Sequence, residues 1–276
     1  MIATSRPGSA VRLLALDIDG TLLDSRHRLT PGAREAIRGV AARGVVVVLA
    51  SARGPSGLRA LAAELGVPGY AVTFSGALLC RIGERPPAEV LGGGRMELLA
   101  ARSVAKRGRE LGVSIGWWDL EEWFVERLDE PILYEVNVIG VRPTVCDLGG
   151  LASAPYKLQC MVPVDGVERL RALREGLPPG IAAQFSNPNY LEVFKEGTDK
   201  AGGLLELGAL LGIATGEMAA IGDGENDLAM LRSVGLGIAV ANARESVREA
   251  AAWVTSSNDE DGVAAAILRM RREGRL

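Results

Sequence analysis

The sequence predicts an α/β fold, a parallel-sheet core interrupted by an inserted α+β module. Two observations carry that prediction. Short apolar runs alternate with helix-period segments from Val11 to Phe74 and again from Gly197 to the end. Between them the texture changes to short strand-like stretches, and Pro86-Pro87 with Gly92-Gly93-Gly94 marks the break. A chain of 276 residues is long enough for two compact domains. The expected division is a core of residues 1–85 and 195–276 and an insertion of residues 86–194.

Each element follows from its residues. Val11–Leu16 is an apolar run closed by acids and a glycine, the pattern of a buried strand running into a loop. Leu22 to Thr30 is polar and reads as a small flap. Thr30-Pro31 starts a helix, with Thr as N-cap and Pro at the first helical position. Ala36, Ile37, Val40 and Ala41 give that helix its apolar face, and Arg43-Gly44 closes it. Strand Val45–Leu49, a helix from Gly57 to Leu65 and strand Tyr70–Phe74 follow. Strands joined by helices imply right-handed crossovers and parallel pairing.

In the insertion a helix is expected from Met96 to Leu111 and another from Asp165 to Glu175. Strands are expected at Ser114–Trp118, Trp123–Glu126, Leu133–Val138, Tyr156–Val162, Ala182–Phe185 and Tyr190–Phe194. The core then resumes with helix Asp199–Leu211, strand Ala219–Ile221, helix Asp227–Ser233, strand Leu236–Val240, helix Arg244–Ala251, edge strand Trp253–Thr255 and helix Gly262–Arg272. The basic residues that end this last helix complement its dipole and imply no binding role.

Composition describes an ordinary enzyme-sized chain. With 31 Lys+Arg against 34 Asp+Glu, the net charge of -3 gives no reason to expect a nucleic acid partner. Aromatic residues make up only 4%, so the core must be built from Val, Leu, Ile and Ala. Cys80, Cys146 and Cys160 are odd in number, lack metal-site spacing and read as small buried hydrophobes in a reducing compartment. No signal-peptide core precedes Arg12 and no apolar run is long enough for a bilayer, so a cytoplasmic location without membrane partners is expected. Monomer and homodimer are equally compatible with the chain.

The chemistry is concentrated in two acidic loops. Asp17-Ile18-Asp19-Gly20-Thr21 ends the first strand, and ligands of open α/β sheets bind at carboxyl ends of strands. The pleat points Asp17 and Asp19 to one side, which suits one carboxylate as nucleophile and the other as acid and base. Gly222-Asp223-Gly224-Glu225-Asn226-Asp227 follows a second apolar strand. Two such loops call for a hard cation, and Mg²⁺ fits a few carboxylates plus water and phosphate oxygens.

These loops resemble motifs one and four of the haloacid dehalogenase superfamily of phosphatases. Val45 to Arg53, a strand ending Ser51-Ala52-Arg53, resembles motif two, and Thr198-Asp199-Lys200 opening a helix resembles motif three. Ile238 to Ala243 and Ser257 to Val263 are similar to the Cof-type branch (subfamily IIB), whose large cap is inserted between motifs two and three. The matches run from Leu14 to Val263. The resemblance implies a Rossmann-like core with an α+β cap that governs substrate specificity.

It also implies roles. Asp17 would be the nucleophile that forms an aspartyl-phosphate, and Asp19 the general acid and then base. Asp17, Asp19 (through its carbonyl) and Asp223 would hold Mg²⁺. Ser51, Lys200 and Asn226 would bind the phosphoryl group, with Asp227, Gly20, Thr21 and Arg53 in support. Asp227 would either touch the metal through water or pair with Lys200. The implied activity is hydrolysis of small phosphorylated metabolites, sugar phosphates foremost. A sugar phosphomutase and a non-catalytic metabolite-binding protein are the alternatives.

Three positions depart from the branch pattern. Ala52 stands where Gly is usual, Ser75 where Asn is usual, and Lys195 where a neutral residue is usual. His27, the single histidine, lies in the polar flap between two arginines and reads as a surface residue. Trp117, Trp118, Trp123 and Phe124 read as packing of the insertion rather than a stacking platform.

Overall fold

The computed structural model describes residues 10–276; the leading stretch read above for a targeting segment lies largely outside them. The chain divides into two compact units. One comprises the described residues up to Arg53, Leu58–Gly93 and Asp199–Leu276; the other comprises Gly54–Gly57 and Gly94–Thr198.

The first unit contains β1 (Leu13–Asp17), α1 (Pro31–Ala41), β2 (Val46–Ala50), most of α2 (Pro55–Leu65), β3 (Gly69–Thr73), β4 (Leu78–Ile82) and β5 (Glu89–Gly93). The second is built from α3 (Leu98–Glu110), β6 (Ser114–Asp119), β7 (Glu122–Val125), α4 (Glu130–Ile139), β8 (Thr144–Val145), β9 (Lys157–Met161), α5 (Val167–Glu175), β10 (Ile181–Asn187) and β11 (Tyr190–Lys195). The chain then returns to the first unit through α6 (Lys200–Leu210), β12 (Met218–Gly222), α7 (Leu228–Ser233), β13 (Leu236–Ala239), α8 (Glu245–Ala250), β14 (Trp253–Val254) and α9 (Gly262–Arg272).

The core sheet has the order β14-β13-β12-β1-β2-β3-β4-β5. All neighbours from β14 to β3 are parallel, as expected from the strand–helix alternation. β1 lies between β12 and β2 and is wholly buried, as its run of apolar residues ending in Asp17 demands. α1 begins as its sequence indicates: the Thr30 hydroxyl accepts from the Ala33 N–H at 3.2 Å, and Ala33, Ile37 and Val40 are buried one turn apart.

The sheet is not parallel throughout. β4 pairs antiparallel with β3, and β5 antiparallel with β4. The reversal occurs at Phe74-Ser75-Gly76, where φ is +49°, +56° and +108° in succession. Two of these residues are not glycine, so the turn is held by its surroundings rather than by residue preference. The Phe74 N–H donates to the Arg53 carbonyl at 3.1 Å and the Ser75 N–H to the Ser51 carbonyl at 3.0 Å. At Gly76 a Cβ would lie 2.0 Å from the Asp199 carbonyl oxygen, so no side chain fits there.

In the second unit the sheet order is β10-β11-β9-β6-β7-β8. One face is apolar: Ile115, Trp117, Leu158, Cys160, Leu191 and Val193 form one cluster with Val104 of α3 and Leu170 of α5. Leu133–Val138, expected as a strand, is instead part of helix α4. Asp129 caps it by accepting from the Ile132 N–H, Pro131 occupies its first turn, and Gly140 closes it in the left-handed conformation. These flanking signals outweigh the β-branched residues inside. Trp117, Trp118 and Trp123 are all buried, with Trp118 and Trp123 stacked at 5.0 Å between centroids. Cys80 and Cys160 are buried as expected, whereas Cys146 is half-buried. Lys195 is exposed at the end of β11.

Candidate active site

Strand order assembles the site. β1 lies between β12 and β2, so the loops leaving the carboxyl ends of these three strands are neighbours. They deliver Asp17 and Asp19, Asp223 and Asp227, and Ser51. Lys200, the first residue of α6, completes the group, fixed in place because the Asp199 side chain caps that helix on the Gly202 N–H at 2.6 Å.

Lys200 is the hub. Its Nζ lies 2.6 Å from Asp17 Oδ1 and 2.7 Å from Asp227 Oδ1, and all three side chains are buried. The other oxygen of Asp227 accepts from the backbone N–H groups of Asp223 (3.1 Å) and Gly224 (2.9 Å). Of the two roles open to Asp227, the geometry therefore has it paired with Lys200. Asp223 Oδ1 accepts from the Thr21 hydroxyl at 2.9 Å. Gly20 makes this approach possible: its φ is +84°, and a Cβ there would lie 2.6 Å from Asp223 Oδ2.

The charges do not balance. Asp17, Asp223 and Asp227 offer carboxylate oxygens within 4.8 Å of one another, against one lysine. Burial pushes the Asp17 carboxyl up to about 6, although Lys200 opposes the shift. Burial also raises Asp223, and burial with the neighbouring Asp17 raises Asp227. For Lys200, burial acts to lower the pKa, but Asp17 and Asp227 outweigh it and the net direction is upward. Such a cluster of hard oxygen donors, short of positive charge, suits a divalent cation. With Asp227 occupied by Lys200 and backbone amides, Asp17 and Asp223 are the carboxylates suited to hold it.

Asp19 has different surroundings. Its side chain is 44% exposed and is gripped by Arg53, Nε to Oδ2 at 2.9 Å and an η-nitrogen to Oδ1 at 2.5 Å. His27, read from the sequence as a surface residue, is indeed largely exposed, yet its Nδ1 lies 3.5 Å from the same carboxylate. The two acids of one motif thus occupy a buried and a solvated environment. Ser51 is buried; its hydroxyl accepts from the Arg53 N–H at 3.1 Å. The Ser75 hydroxyl beside it is buried with no hydrogen-bond partner among the described residues. Asn226 is exposed in the turn before α7.

A sequence model of the haloacid dehalogenase-like hydrolases matches residues 14–267. The chain belongs to this family. A haloacid dehalogenase-like hydrolase from Bacteroides thetaiotaomicron superposes with a TM-score of 0.85 at 30% identity, covering 94% of this chain and 99% of the other. A sugar phosphatase of HAD subclass IIB superposes with a TM-score of 0.79 at 25% identity, covering 96% and 100%. A phosphoglycolate phosphatase of Methanospirillum hungatei is 29% identical over 247 residues, 89% of this chain and 90% of that protein. A 5-amino-6-(5-phospho-D-ribitylamino)uracil phosphatase of Bacillus subtilis is 27% identical over 266 residues, 96% and 98%. The chain is an enzyme of the phosphatase branch of the family, with an α/β core of mainly parallel strands.

Sequence reasoning missed the contacts made by two asparagines. Asn242 Nδ2 donates to the Gly20 carbonyl at 2.7 Å, and Asn258 Nδ2 to the Leu23 carbonyl at 2.9 Å. Both lie in the tail segments that carried the family resemblance, so the signal was present without its mechanism. Among the described residues no helix is long and apolar enough to cross a membrane.

Proposed function

We propose that this phosphatase hydrolyses phosphomonoesters of small metabolites, sugar phosphates foremost, through a covalent intermediate on Asp17. The observation that carries the reading is the buried Asp17 carboxylate, held by Lys200 at the end of the central strand. An anionic nucleophile approaching an anionic phosphate needs compensating positive charge. Lys200 supplies part of it. Mg²⁺, held by Asp17, Asp223 and the Asp19 carbonyl, would supply the rest as a Lewis acid on the phosphoryl oxygens.

Asp17 attacks phosphorus as the ester P–O bond breaks, and Asp19 gives a proton to the departing alkoxide. Asp19 then takes a proton from water as that water attacks the aspartyl-phosphate, releasing inorganic phosphate and restoring the Asp17 carboxylate. Ser51, Asn226 and Lys200 donate to the phosphoryl oxygens. Arg53 and Thr21 position Asp19 and Asp223, Gly20 allows their close approach, and Asp227 orients Lys200. The inserted unit, expected over residues 86–194 and built here from Gly94–Thr198 because β5 joins the core sheet, selects the leaving group. The substrate class is supported by relatives acting on a sugar phosphate, on phosphoglycolate and on a phosphoribityl compound.

The test is phosphate release from sugar phosphates, nucleotides and an aryl phosphate, with Mg²⁺ or chelator, beside Asp17→Asn. Mg²⁺-dependent release that is lost in Asp17→Asn is the expected result. Phosphate found on a second hydroxyl of the sugar rather than free would make the protein a mutase. Ligand binding without turnover by the folded, Mg²⁺-supplied protein would overturn the enzymatic mechanism.

A further inference from the structure

The loop that carries Asp17 and Asp19 continues through Gly20 into a flap, and this segment is braced from the far end of the chain. Asn242 lies just beyond β13, and its side chain uses both ends. Nδ2 donates to the Gly20 carbonyl at 2.7 Å, and Oδ1 accepts from the Asn258 backbone N–H at 2.9 Å. Asn258, itself buried, donates to the Leu23 carbonyl at 2.9 Å. The neighbouring Asp259 accepts from the Ser25 N–H at 2.7 Å, and Asp261 accepts from the Thr30 hydroxyl. The flap is therefore pinned at both ends and in the middle by two tail segments.

The same stretch after β13 also touches the second acidic loop. The Val240 N–H donates to the Gly222 carbonyl and the Arg244 N–H to the Asp223 carbonyl, both at 3.3 Å. Residues 240–244 thus hold the Asp223 backbone through two N–H groups and the Gly20 peptide through one side chain. The Gly20 amide nitrogen belongs to the peptide whose oxygen is the Asp19 carbonyl. A shift at Gly20 moves that oxygen relative to Asp223.

We propose that Asn242 is a positioning residue for the cation site, cross-linking the two carboxylate-bearing loops at the spacing that cation binding needs. This rests on the reading that Asp17, Asp223 and the Asp19 carbonyl hold Mg²⁺. Asn242 touches neither substrate nor cation; it acts through Gly20. Removal of an outer group that orients metal ligands typically weakens metal affinity about tenfold or more.

The experiment is calorimetric titration of the full-length metal-free protein with Mg²⁺, for wild type, Asn242→Ala, Asn242→Asp and Asp223→Ala, with a melting curve of each metal-free protein. Asn242→Asp keeps the acceptor for Asn258 and replaces the donor to Gly20 with a carboxylate oxygen that the Gly20 carbonyl repels. Its added negative charge would by itself favour a cation, so any weakening must come from the broken contact with Gly20. The expected result is Mg²⁺ affinity reduced about tenfold in both Asn242 variants, with the Asn242→Asp melting temperature close to wild type. A merely structural role predicts a lower melting temperature with unchanged Mg²⁺ affinity, and that result overturns the proposal. If Asn242→Ala does not fold, Asn242→Asp decides: affinity equal to wild type or tighter overturns it. Failure of the parent reading is distinct, because wild type would then bind no Mg²⁺ and match Asp223→Ala.

Discussion

Lys200 in the core and Lys157 in the inserted unit are both buried lysines on a carboxylate, at 2.6 Å from Asp17 and 2.7 Å from Glu192. Around Lys157 most neighbouring polar groups are paired within the unit, although the indole N–H of Trp123, stacked on Trp118, is buried without a hydrogen-bond partner among the described residues. Gln159 accepts from the Trp118 indole and donates to Glu135, whose other oxygen accepts from the Tyr190 hydroxyl, each at 3.0 Å. The Ser186 hydroxyl reaches Glu192 at 3.3 Å. These residues lie on β6, β9, β10 and β11 or on α4, on the sheet face opposite the apolar cluster. Around Lys200 three carboxylates converge at strand ends with too little positive charge. A network closed by neutral donors gives a unit a defined interior; one left short of cations is prepared to take another charge.

Breaking each cluster should separate these roles. The largest effect is expected for Asp17→Asn, which keeps the shape and removes the nucleophile: phosphate release should fall by at least about a thousandfold in a steady-state assay. Next is the inserted unit. Lys157→Met alone leaves Glu192 buried without its cation and should cost about 3–5 kcal/mol in denaturant unfolding. Adding Glu192→Leu should recover most of that loss, since an apolar pair can replace a buried ion pair at little cost. Recovery would mark the Lys157 cluster as architectural. The matching core double, Lys200→Met with Asp17→Leu, leaves the buried Asp227 carboxylate without its cation, so it should stay destabilised as well as inactive.

A pH test sharpens the comparison. The folded Asp17 carboxyl titrates at about 6 against an ordinary 3.8, so the metal-free folded state holds this proton more tightly than the unfolded chain. Its contribution to stability is complete at low pH and is lost as pH rises through about 6. Metal-free wild type should therefore lose more stability than metal-free Asp17→Asn between pH 5 and pH 7, measured as the difference in unfolding free energy. A parallel pair of curves would contradict the burial argument. The smallest effect is local: Asp129→Ala removes the cap of α4 and should cost about 1 kcal/mol in the same unfolding measurement.

How much of this was legible depends on how far the determining residues lie from one another. The start of α1 could be read because Thr30, Pro31 and Ala33 are neighbours in the chain. The helix over Leu133–Val138 is legible at its boundaries, Asp129, Pro131 and Gly140, while the β-branched Val136 and Val138 inside it point to a strand. β4 and β5 could not be read as antiparallel, because the turn before them uses left-handed Phe74 and Ser75, which no local preference announces. Cys146 sits at a half-covered position for a similar reason: its burial depends on packing partners elsewhere in the chain.

The sequence by itself determined the acidic loops, the strands and helices that present them, and the family to which the chain belongs. Apolar periodicity, caps and glycines act over a few residues and leave their mark in order along the chain. Only the tertiary structure decided that Asp227 pairs with Lys200, that Arg53 and His27 meet Asp19, and that Asn242 reaches Gly20. Those partners are brought together by strand order in the sheet. Strand order is selected by burial of the whole core, which no local window contains.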